Sequence, residues 1–470
     1  MRMYRTLNLI MLYFLIGFLY PSFSQTNFDK AQKLARENQY ARAIYTLANN
    51  GSVDKLKDKE LVLLGQVFLL QAKLYRDLYE LQLAIGSDYL EYRETNKSTV
   101  LTKYDPFFRG RYLFESGQYK KAETALLKAF NQGHDKIKAK AGIWLEAARI
   151  QQGKRAAGSN EKFNDNLLSL EHLFAMWETG RTVKKLLNVR NTSSIIEKRL
   201  ALWAASQNRD LSKIIQLMSK VANSYEPDAV KNMQNKYKLN FYDPSTLRII
   251  YFASYVAAAE IFQRIKNIKY QNNKNYFSGL CWYEAGDYIK AKEMLENMSP
   301  MTQKANIYLG AVYYRLNQIH KANELWKGIK ESGNPDILAL YCQILQPLDE
   351  KQGLIKNTCI KLKYKVKSTE AILAASRCLI YSGMNQTAFQ ILNKYYPVSK
   401  HNKVRYIQPS YLILFSHSKY LQGRKYYSDV LSHLAAVNSA GYNMLPILNM
   451  ARAYMAPENP LAGREKRISY

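Results

Sequence analysis

Small, apolar and turn-forming residues recur at fixed positions in four segments of the chain. They are AQKLARENQYARAIYTL from Ala31, GRYLFESGQYKKAETALL from Gly110, GLCWYEAGDYIKAKEML from Gly279 and GAVYYRLNQIHKANELW from Gly310. Each begins with a small residue and has an apolar residue at +3, Gly or Asn at +7, an aromatic or Ile at +9, Ala at +12 and a large apolar residue at +16. This order predicts a helix, a tight turn and a second helix.

The residue type at each position suits one place in such a hairpin. A small residue lets the first helix approach the second closely, and Gly or Asn supplies the left-handed backbone that ends a helix. The small residues are Gly110, Gly279 and Gly310, the turn residues are Gly117, Gly286 and Asn317, and the large apolar residues are Leu126, Leu295 and Trp326. Ala122, Ala291 and Ala322 leave room where the second helix crosses the first.

The four segments resemble the tetratricopeptide repeat (TPR) family, whose period is 34 residues. Gly279 and Gly310 are 31 residues apart, and Gly117 and Gly286 are 169 apart, which is close to five periods. The Trp that the family usually has near the start of its first helix is absent. The resemblance implies an all-α chain, an α-solenoid or superhelix of TPR-like hairpins.

The resemblance also implies where a partner binds, because the first helices of TPR hairpins line a concave groove. Carried over by repeat position, Arg111, Phe114, Tyr283, Tyr314 and Arg315 face that groove. Aromatic and Arg side chains there anchor a ligand through large contact areas and charged hydrogen bonds. The alternative is that these five side chains pack between adjacent repeats.

Weaker copies and changes in composition suggest a domain organisation. Ser376–Leu392 keeps Gly383 and Ala388, Tyr420–Leu431 keeps Gly423, and Trp203–Met218 has a turn at Asn208. We predict N-terminal TPR-like repeats over 25–155, degenerate helical repeats over 156–270, C-terminal TPR-like repeats over 271–456 and a basic tail over 457–470. In 359–367 apolar residues alternate with Lys, as in a strand, but the spacing also fits one helical face, and the repeat pattern favours a helix.

Residues 1–24 have the features of a secretory signal peptide. Arg2 and Arg5 precede the uncharged apolar run Leu9–Leu19, and Ser22 and Ser24 fit a cleavage site before Gln25. The run is shorter than the roughly 20 residues that span a bilayer. The junction resembles cleavage sites of Bacteroidota, so the sequence is identified as an exported bacterial TPR protein. We expect it to be periplasmic or associated with the outer membrane, without a membrane-spanning segment after cleavage.

The chain has 68 Lys and Arg against 38 Asp and Glu, a formal net charge of +30. Loss of Arg2 and Arg5 with the signal segment leaves +28 (30 − 2). For an exported protein the charge points to anionic glycans, lipid headgroups or acidic proteins as partners, and not to nucleic acid. The alternative is a solvated surface that has no specific partner.

The four cysteines, Cys281, Cys342, Cys359 and Cys378, permit disulfides in an oxidising compartment. Cys342 and Cys378 are 36 residues apart, close to one repeat, whereas Cys342 and Cys359 are placed to face each other across one hairpin. We therefore predict a Cys342–Cys378 or a Cys342–Cys359 disulfide, with buried free thiols as the alternative.

The sequence shows no catalytic, cofactor or metal motif. It lacks a GxGxxG segment after a strand, a phosphate-binding GxxxxGK[ST] loop, a GxSxG elbow and an HExxH zinc site. Glu115 and Glu284 occupy matching repeat positions and are interpreted as surface or partner-contact residues. We therefore predict a non-catalytic scaffold that mediates protein–protein interactions in a cell-envelope assembly, such as secretion, outer-membrane or surface-motility machinery. The alternatives are a periplasmic TPR component that binds anionic polysaccharide or peptidoglycan, and a degenerate glycan-cleaving enzyme.

Overall fold

A computed structural model describes residues 25–48, 53–95, 105–133, 135–154, 166–180, 195–222, 244–331, 333–348, 352–362, 365–395, 408–439, 442 and 444–455. The predicted signal segment 1–24 and basic tail 457–470 lie outside the described residues. All regular secondary structure in the described ranges is helical, so the predicted all-α class is confirmed.

The described α-helices, numbered in chain order, are Gln25–Arg36 (α1), Tyr40–Leu47 (α2), Asp58–Thr95 (α3), Asp105–Glu115 (α4), Tyr119–Gln132 (α5), Asp135–Gln151 (α6), Asn166–Glu178 (α7), Ile195–Gln207 (α8), Leu211–Ala222 (α9), Ser245–Gln263 (α10), Gln271–Glu284 (α11), Tyr288–Glu296 (α12), Gln303–Arg315 (α13), Ile319–Glu331 (α14), Pro335–Leu345 (α15), Gln352–Lys361 (α16), Thr369–Tyr381 (α17), Asn385–Tyr395 (α18), Pro409–Tyr420 (α19), Tyr427–Ser439 (α20) and Leu445–Met455 (α21). Two short 3₁₀ turns, Ile268–Tyr270 and Arg424–Tyr426, precede α11 and α20.

The chain divides into two compact units. The first comprises the described residues within 1–73 and 254–422, and the second those within 74–253 and 423–470. Helices α3 and α10 therefore contribute one part to each unit. The limits expected from the sequence, near 155 and 270, mark where similarity to the repeat fades, and they stay a prediction.

Tight turns of one type join the paired helices in both units. Gly117, Gly286, Asn317 and Gly383 all have positive φ, between 59° and 81°. After Gly286, for example, the N–H of Asp287 donates to the carbonyl of Trp282 at 2.9 Å, and the N–H of Gly286 donates to that of Tyr283 at 3.0 Å. This pair of bonds is the Schellman motif, which ends a helix at a left-handed residue. The turn predicted at Asn208 has its left-handed residue one position later, at Arg209.

The first unit contains consecutive hairpins from α11 to α18, followed by α19. Side-chain caps fix where several first helices begin: Thr302 accepts from the N–H of Ala305, Asn334 from that of Asp336, and Ser368 from that of Ala371. Such caps satisfy amide groups that lack a partner inside the helix. Because each hairpin packs on the next, this unit is an α-solenoid of TPR-like hairpins, as predicted.

The sequence pattern did not predict the long helix α3. No residue between Asp58 and Leu90 is fully exposed, and half-buried positions that include Gln66, Lys73 and Glu80 follow one side of the helix. In the first unit, its N-terminal part runs antiparallel to α10: Gly65 contacts the ring of Phe262, and Gln71 Nε2 donates to Ser254 Oγ at 3.2 Å. Polar side chains such as Gln71, Asp77 and Gln82 are buried among the apolar residues of α3, so the apolar positions form no clear amphipathic stripe.

A column of aromatic rings forms the core of the second unit. Phe114, Trp144, Phe174 and Trp203 come from α4, α6, α7 and α8, and successive ring centroids are 5.2, 5.9 and 5.5 Å apart. Each pair meets edge to face, a favourable arrangement for aromatic rings. The residues lie 30, 30 and 29 positions apart, so they mark a second repeat in the sequence.

The disulfide in the structure joins Cys359 and Cys378, while Cys281 and Cys342 are buried free thiols. The predicted pairings of Cys342 with Cys378 or with Cys359 are therefore wrong. Cys359 lies on α16 and Cys378 on α17, which follow each other in the chain. The helix predicted over 359–367 extends only to Lys361, although Val366 beyond it is fully buried.

Candidate partner-binding surface

The first unit exposes large apolar side chains at the end of its hairpins where the tight turns lie. Ile289 is 73% exposed and Ile319 40%, each near the start of a second helix. Tyr381 and Leu421, at the ends of α17 and α19, are 38% and 39% exposed. Together with Tyr288, Tyr314 and Arg315, these residues define what we call the turn edge.

An arginine links two successive hairpins at the turn edge. The exposed Arg315 ends α13, and its guanidinium carbon lies 5.9 Å from the ring centroid of Tyr288, at the start of α12. The half-buried Tyr314 packs on Trp326, with ring centroids 6.0 Å apart. Partly exposed Tyr and Arg side chains beside Ile289 and Ile319 have the composition of a protein interface.

The structure divides the five residues that the sequence assigns to a groove. Tyr314 and Arg315 lie at the turn edge. Tyr283 is buried, and its ring centroid lies 5.8 Å from that of Tyr288 and 5.7 Å from that of Tyr308. Arg111 and Phe114 are buried in the second unit, so packing inside the repeats describes them, like Tyr283, better than an open groove.

Arg111 belongs to a chain of buried ion pairs. Its Nη2 donates to Glu115 Oε1 at 2.7 Å, and the other carboxylate oxygen accepts from Arg248 Nη1 and from the Tyr79 hydroxyl, both at 2.7 Å. Arg248 Nη2 lies 2.7 Å from Glu178 Oε2. The interpretation of Glu115 as a surface residue is wrong, because its side chain has no exposed surface.

Burial and the neighbouring arginines shift the pKa values of Glu115 and Glu178 in opposite directions. Burial by itself would raise the pKa of Glu115, but the guanidinium groups of Arg248 and Arg111 outweigh it and hold that pKa below its ordinary value. For Glu178, burial and the nearby Glu115 outweigh Arg248 and raise the pKa to about 8. The guanidinium of Arg111 lies 3.1 Å from the ring centre of Trp144, which adds a cation–π contact.

A second buried pair lies beside the same aromatic column. Glu171 accepts from the indole N–H of Trp144 at 2.9 Å through Oε1, and Arg199 Nη2 donates to its Oε2 at 3.3 Å. Arg199 also donates to Ser245 Oγ. These bonds connect α6, α7, α8 and α10 and have no contact with solvent, which points to a role in holding the second unit together.

A half-buried charge cluster lies between three helices of the first unit. Glu370 Oε2 accepts from Lys304 Nζ at 2.6 Å, and Lys73 Nζ lies 3.6 Å from Oε1. Burial acts to raise the pKa of Glu370, but the two ammonium groups outweigh it and lower the pKa to about 2. The cluster joins α3, α13 and α17, so it fixes the long helix within this unit.

Nothing in the described ranges forms a metal site, since no three His, Cys, Asp or Glu residues come together there. Of the histidines, His417 is buried on α19, and His433 Nδ1 lies 2.5 Å from the carbonyl of Asp429. Among the helices that the structure describes, none combines the length and apolar character needed to cross a bilayer.

Sequence reasoning missed the buried ion pairs and found part of the turn edge. The aromatic spacing of about 30 residues was a usable signal for the second unit, because Arg111 and Glu171 each stand three positions before a member of the column. Nothing in the sequence indicates that Arg248 reaches Glu115, 133 positions away.

No protein-family model and no curated protein matches the chain. Among solved structures, yeast Tom70 is similar over 95% of this chain and 99% of its own, with 12% identity and a TM-score of 0.32. The APC/C hetero-tetramer Cut9–Hcn1 is similar over 95% and 97%, with 13% identity and a TM-score of 0.28. The TPR domain of P58(IPK) is similar over 78% and 99%, with 14% identity and a TM-score of 0.19.

Proposed function

We propose that the protein is a non-catalytic scaffold that is exported and binds another protein of the cell envelope through the turn edge of its first unit. The observation that carries this proposal is the joint exposure of Ile289, Ile319 and Arg315 on two successive hairpins. Single exposed apolar residues are common on soluble proteins, but a set aligned on one edge of stacked repeats is not.

The chemistry of the turn edge suits a folded protein partner. Ile289 and Ile319 supply apolar area, and burying a side chain of this size fully contributes roughly 1.5–3 kcal/mol. Arg315 can pair with a carboxylate of the partner while it keeps its contact with Tyr288. Such anchors usually account for most of the binding energy of an interface.

Export is part of the proposal. The apolar segment before Gln25 has the composition of a signal peptide, and the Cys359–Cys378 disulfide fits an oxidising compartment. We therefore place the protein in the periplasm or at the outer membrane, within an assembly of secretion, outer-membrane or surface-motility proteins.

The test is an affinity purification of the tagged protein from its own envelope fraction, with washes at low and at high salt. We expect one stoichiometric protein partner that survives high salt, because apolar contacts are little screened by ions. Ile289→Asp should abolish its recovery.

The matched control is Ile268→Asp, which changes another highly exposed isoleucine, 86% against 73% for Ile289, at the opposite end of the same hairpin. It should leave the partner bound. Equal recovery with both variants, or loss of the partner with both, would contradict the assignment of the turn edge.

A further inference from the structure

The end of the first unit opposite the turn edge is rich in exposed lysines. At this end the first helix of each hairpin begins and the second helix ends, as the bonds between Asn272 and Ser299 and between Asn275 and Asn297 show. The N-terminal ends of α13 and α17 meet here too, because Lys304 binds Glu370. Its exposed lysines include Lys55, Lys57, Lys266, Lys269, Lys365 and Lys367. We call this end, with Ile268, the lysine edge.

Backbone bonds hold the segments of the lysine edge together. The carboxylate of Asp58 accepts from the N–H groups of Lys266 and Asn267 at 3.2 and 2.8 Å, which fixes the start of α3 beside the 3₁₀ turn. Asp336 accepts from the N–H groups of Lys367 and Ser368 at 2.7 and 2.9 Å. The lysines therefore project from a fixed framework.

The six exposed lysines outnumber the three aspartates in the same segments, Asp54, Asp58 and Asp336, so positive charge is in excess there. Asp58 and Asp336 are engaged with backbone amides, and Asp54 forms an ion pair with Arg264. Within the part of the chain that the structure describes, none of the six lysine ammonium groups forms an ion pair with a carboxylate. An anionic surface can neutralise these ammonium groups without first breaking an ion pair.

The lysine edge also carries one highly exposed apolar side chain, that of Ile268. It lies in the 3₁₀ turn between Lys266 and Lys269, and it is 86% exposed, more than any other large apolar side chain among the described residues. Met301, 37% exposed, lies at the same end, in the connection after α12. An exposed apolar tip with a lysine on either side is suited to a surface that is apolar just below a layer of negative charge.

We propose that the lysine edge binds the surface of an anionic lipid bilayer, with Ile268 entering the boundary between headgroups and acyl chains. Lipid is favoured over an anionic polysaccharide because a glycan offers no apolar phase for Ile268. It is favoured over an acidic protein because the lysines follow the ends of several successive helices and flank an exposed apolar side chain. The inference goes beyond the proposed scaffold function and does not depend on it.

The first test is co-sedimentation of the protein, as isolated from its cells, with vesicles of phosphatidylcholine and phosphatidylglycerol in equal parts, and with vesicles of phosphatidylcholine alone. We expect binding to the anionic vesicles, roughly tenfold weaker for Ile268→Asp and roughly fivefold weaker for Lys269→Ala. Ile289→Asp changes a residue of the turn edge, and Lys321→Ala changes an exposed lysine two positions after Ile319; both should bind like the unchanged protein.

The second test measures insertion directly with a dye on one cysteine. Both free thiols are buried and the other two cysteines form the disulfide, so Ile268→Cys creates the single accessible thiol for an environment-sensitive dye. On anionic vesicles we expect its emission to shift to the blue and to be quenched by nitroxide-labelled lipid. A dye at Ile289→Cys should show neither change.

Some outcomes would overturn the proposal. One is an unchanged dye at position 268 on vesicles that bind the protein, because the lysines would then act through charge alone. Another is an equal effect of Ile268→Asp and Ile289→Asp on vesicle binding. A third outcome is that polygalacturonate, a soluble anionic polysaccharide, displaces the protein from vesicles while the emission of the dye at position 268 does not change. The lysine edge would then bind anionic polymers and not a lipid bilayer.

Discussion

Gly310 lies directly against the indole ring of Trp326: a β-carbon on residue 310 would stand 2.7 Å from Cε2 and 2.8 Å from Cδ1 of the ring. The indole N–H also donates to the carbonyl of Ile307, 3.3 Å away on the same helix as Gly310. The equivalent pairs Gly110–Leu126 and Gly279–Leu295 are as close, so one contact sets the distance between the two helices in each hairpin.

Replacing Gly310 with Ala should destabilise the protein, because the added methyl group has no space beside Trp326. We expect a loss of roughly 1–2 kcal/mol in the free energy of unfolding, after the better helix propensity of Ala is taken into account. Denaturant unfolding followed by circular dichroism measures the change.

Gly328→Ala provides the matched control, because Gly328 also lies in a helix but has nothing within 4 Å of its β-carbon position. It should be stabilising by roughly 0.5–1 kcal/mol. Similar effects of the two substitutions on the free energy of unfolding would show that the close contact between Gly310 and Trp326 does not exclude a larger residue at position 310.

The hairpins could be predicted because their determinants are local. The small residue, the turn residue and the large apolar residue lie within 17 consecutive positions, and each has one place in the hairpin. The burial of Ala122, Ala291 and Ala322 and the left-handed backbone at Gly117, Gly286 and Asn317 follow from that order alone.

The parts that were missed depend on contacts between residues distant in sequence. Helix α3 shows no clear amphipathic period, because polar residues such as Asp77 and Gln82 are buried among its apolar ones. Arg248 meets Glu115 across 133 positions, and the choice of Cys359–Cys378 over the pairings of Cys342 depends on how α16 turns onto α17. Only Tyr314 and Arg315 of the predicted groove reach the turn edge, because repeat position does not indicate what covers each face.

The disulfide can be checked by counting thiols. Without reductant, the native protein should not react with a maleimide, because Cys281 and Cys342 are fully buried. Unfolding without reductant should expose two thiols, and unfolding with reductant all four. The closed loop spans 19 positions, so reduction should also lower the free energy of unfolding by roughly 3 kcal/mol. Four reactive thiols before reduction would contradict the pairing.

Removing the charge of Glu115 should strongly destabilise the second unit. Glu115→Gln leaves the fully buried guanidinium of Arg111 without a carboxylate, and breaking a buried ion pair in this way typically costs about 3–5 kcal/mol. Unfolding in urea, followed by tryptophan fluorescence, measures the loss, since Trp144, Trp177 and Trp203, three of the five tryptophans, lie in this unit.

Glu123→Gln is the control, since Glu123 pairs with Arg149 at 2.9 Å and with Lys154, whose side chains are 31% and 49% exposed. Water can take over the solvation of these partners, so the loss should stay below roughly 1 kcal/mol. If Glu115→Gln lowered the free energy of unfolding no more than Glu123→Gln does, the buried ion pairs would contribute little to stability.

Glu370 should make the stability of the first unit fall in acid. Lys73 and Lys304 lower its pKa in the folded protein to about 2, whereas in the unfolded chain it returns towards the ordinary 4.5. Between these values the unfolded chain binds the proton that the folded protein does not, so the free energy of unfolding decreases as pH falls through this window. The side chain is 30% exposed, and we therefore expect a contribution of roughly 1–3 kcal/mol, fully present at neutral pH and lost near pH 2.

Glu370→Gln should remove this part of the pH dependence, measured by denaturant unfolding at a series of pH values. Glu324→Gln, on the exposed face of α14, should leave the profile as it is. A Glu370→Gln profile that still falls as steeply as that of the unchanged protein would mean that other carboxylates cause the loss.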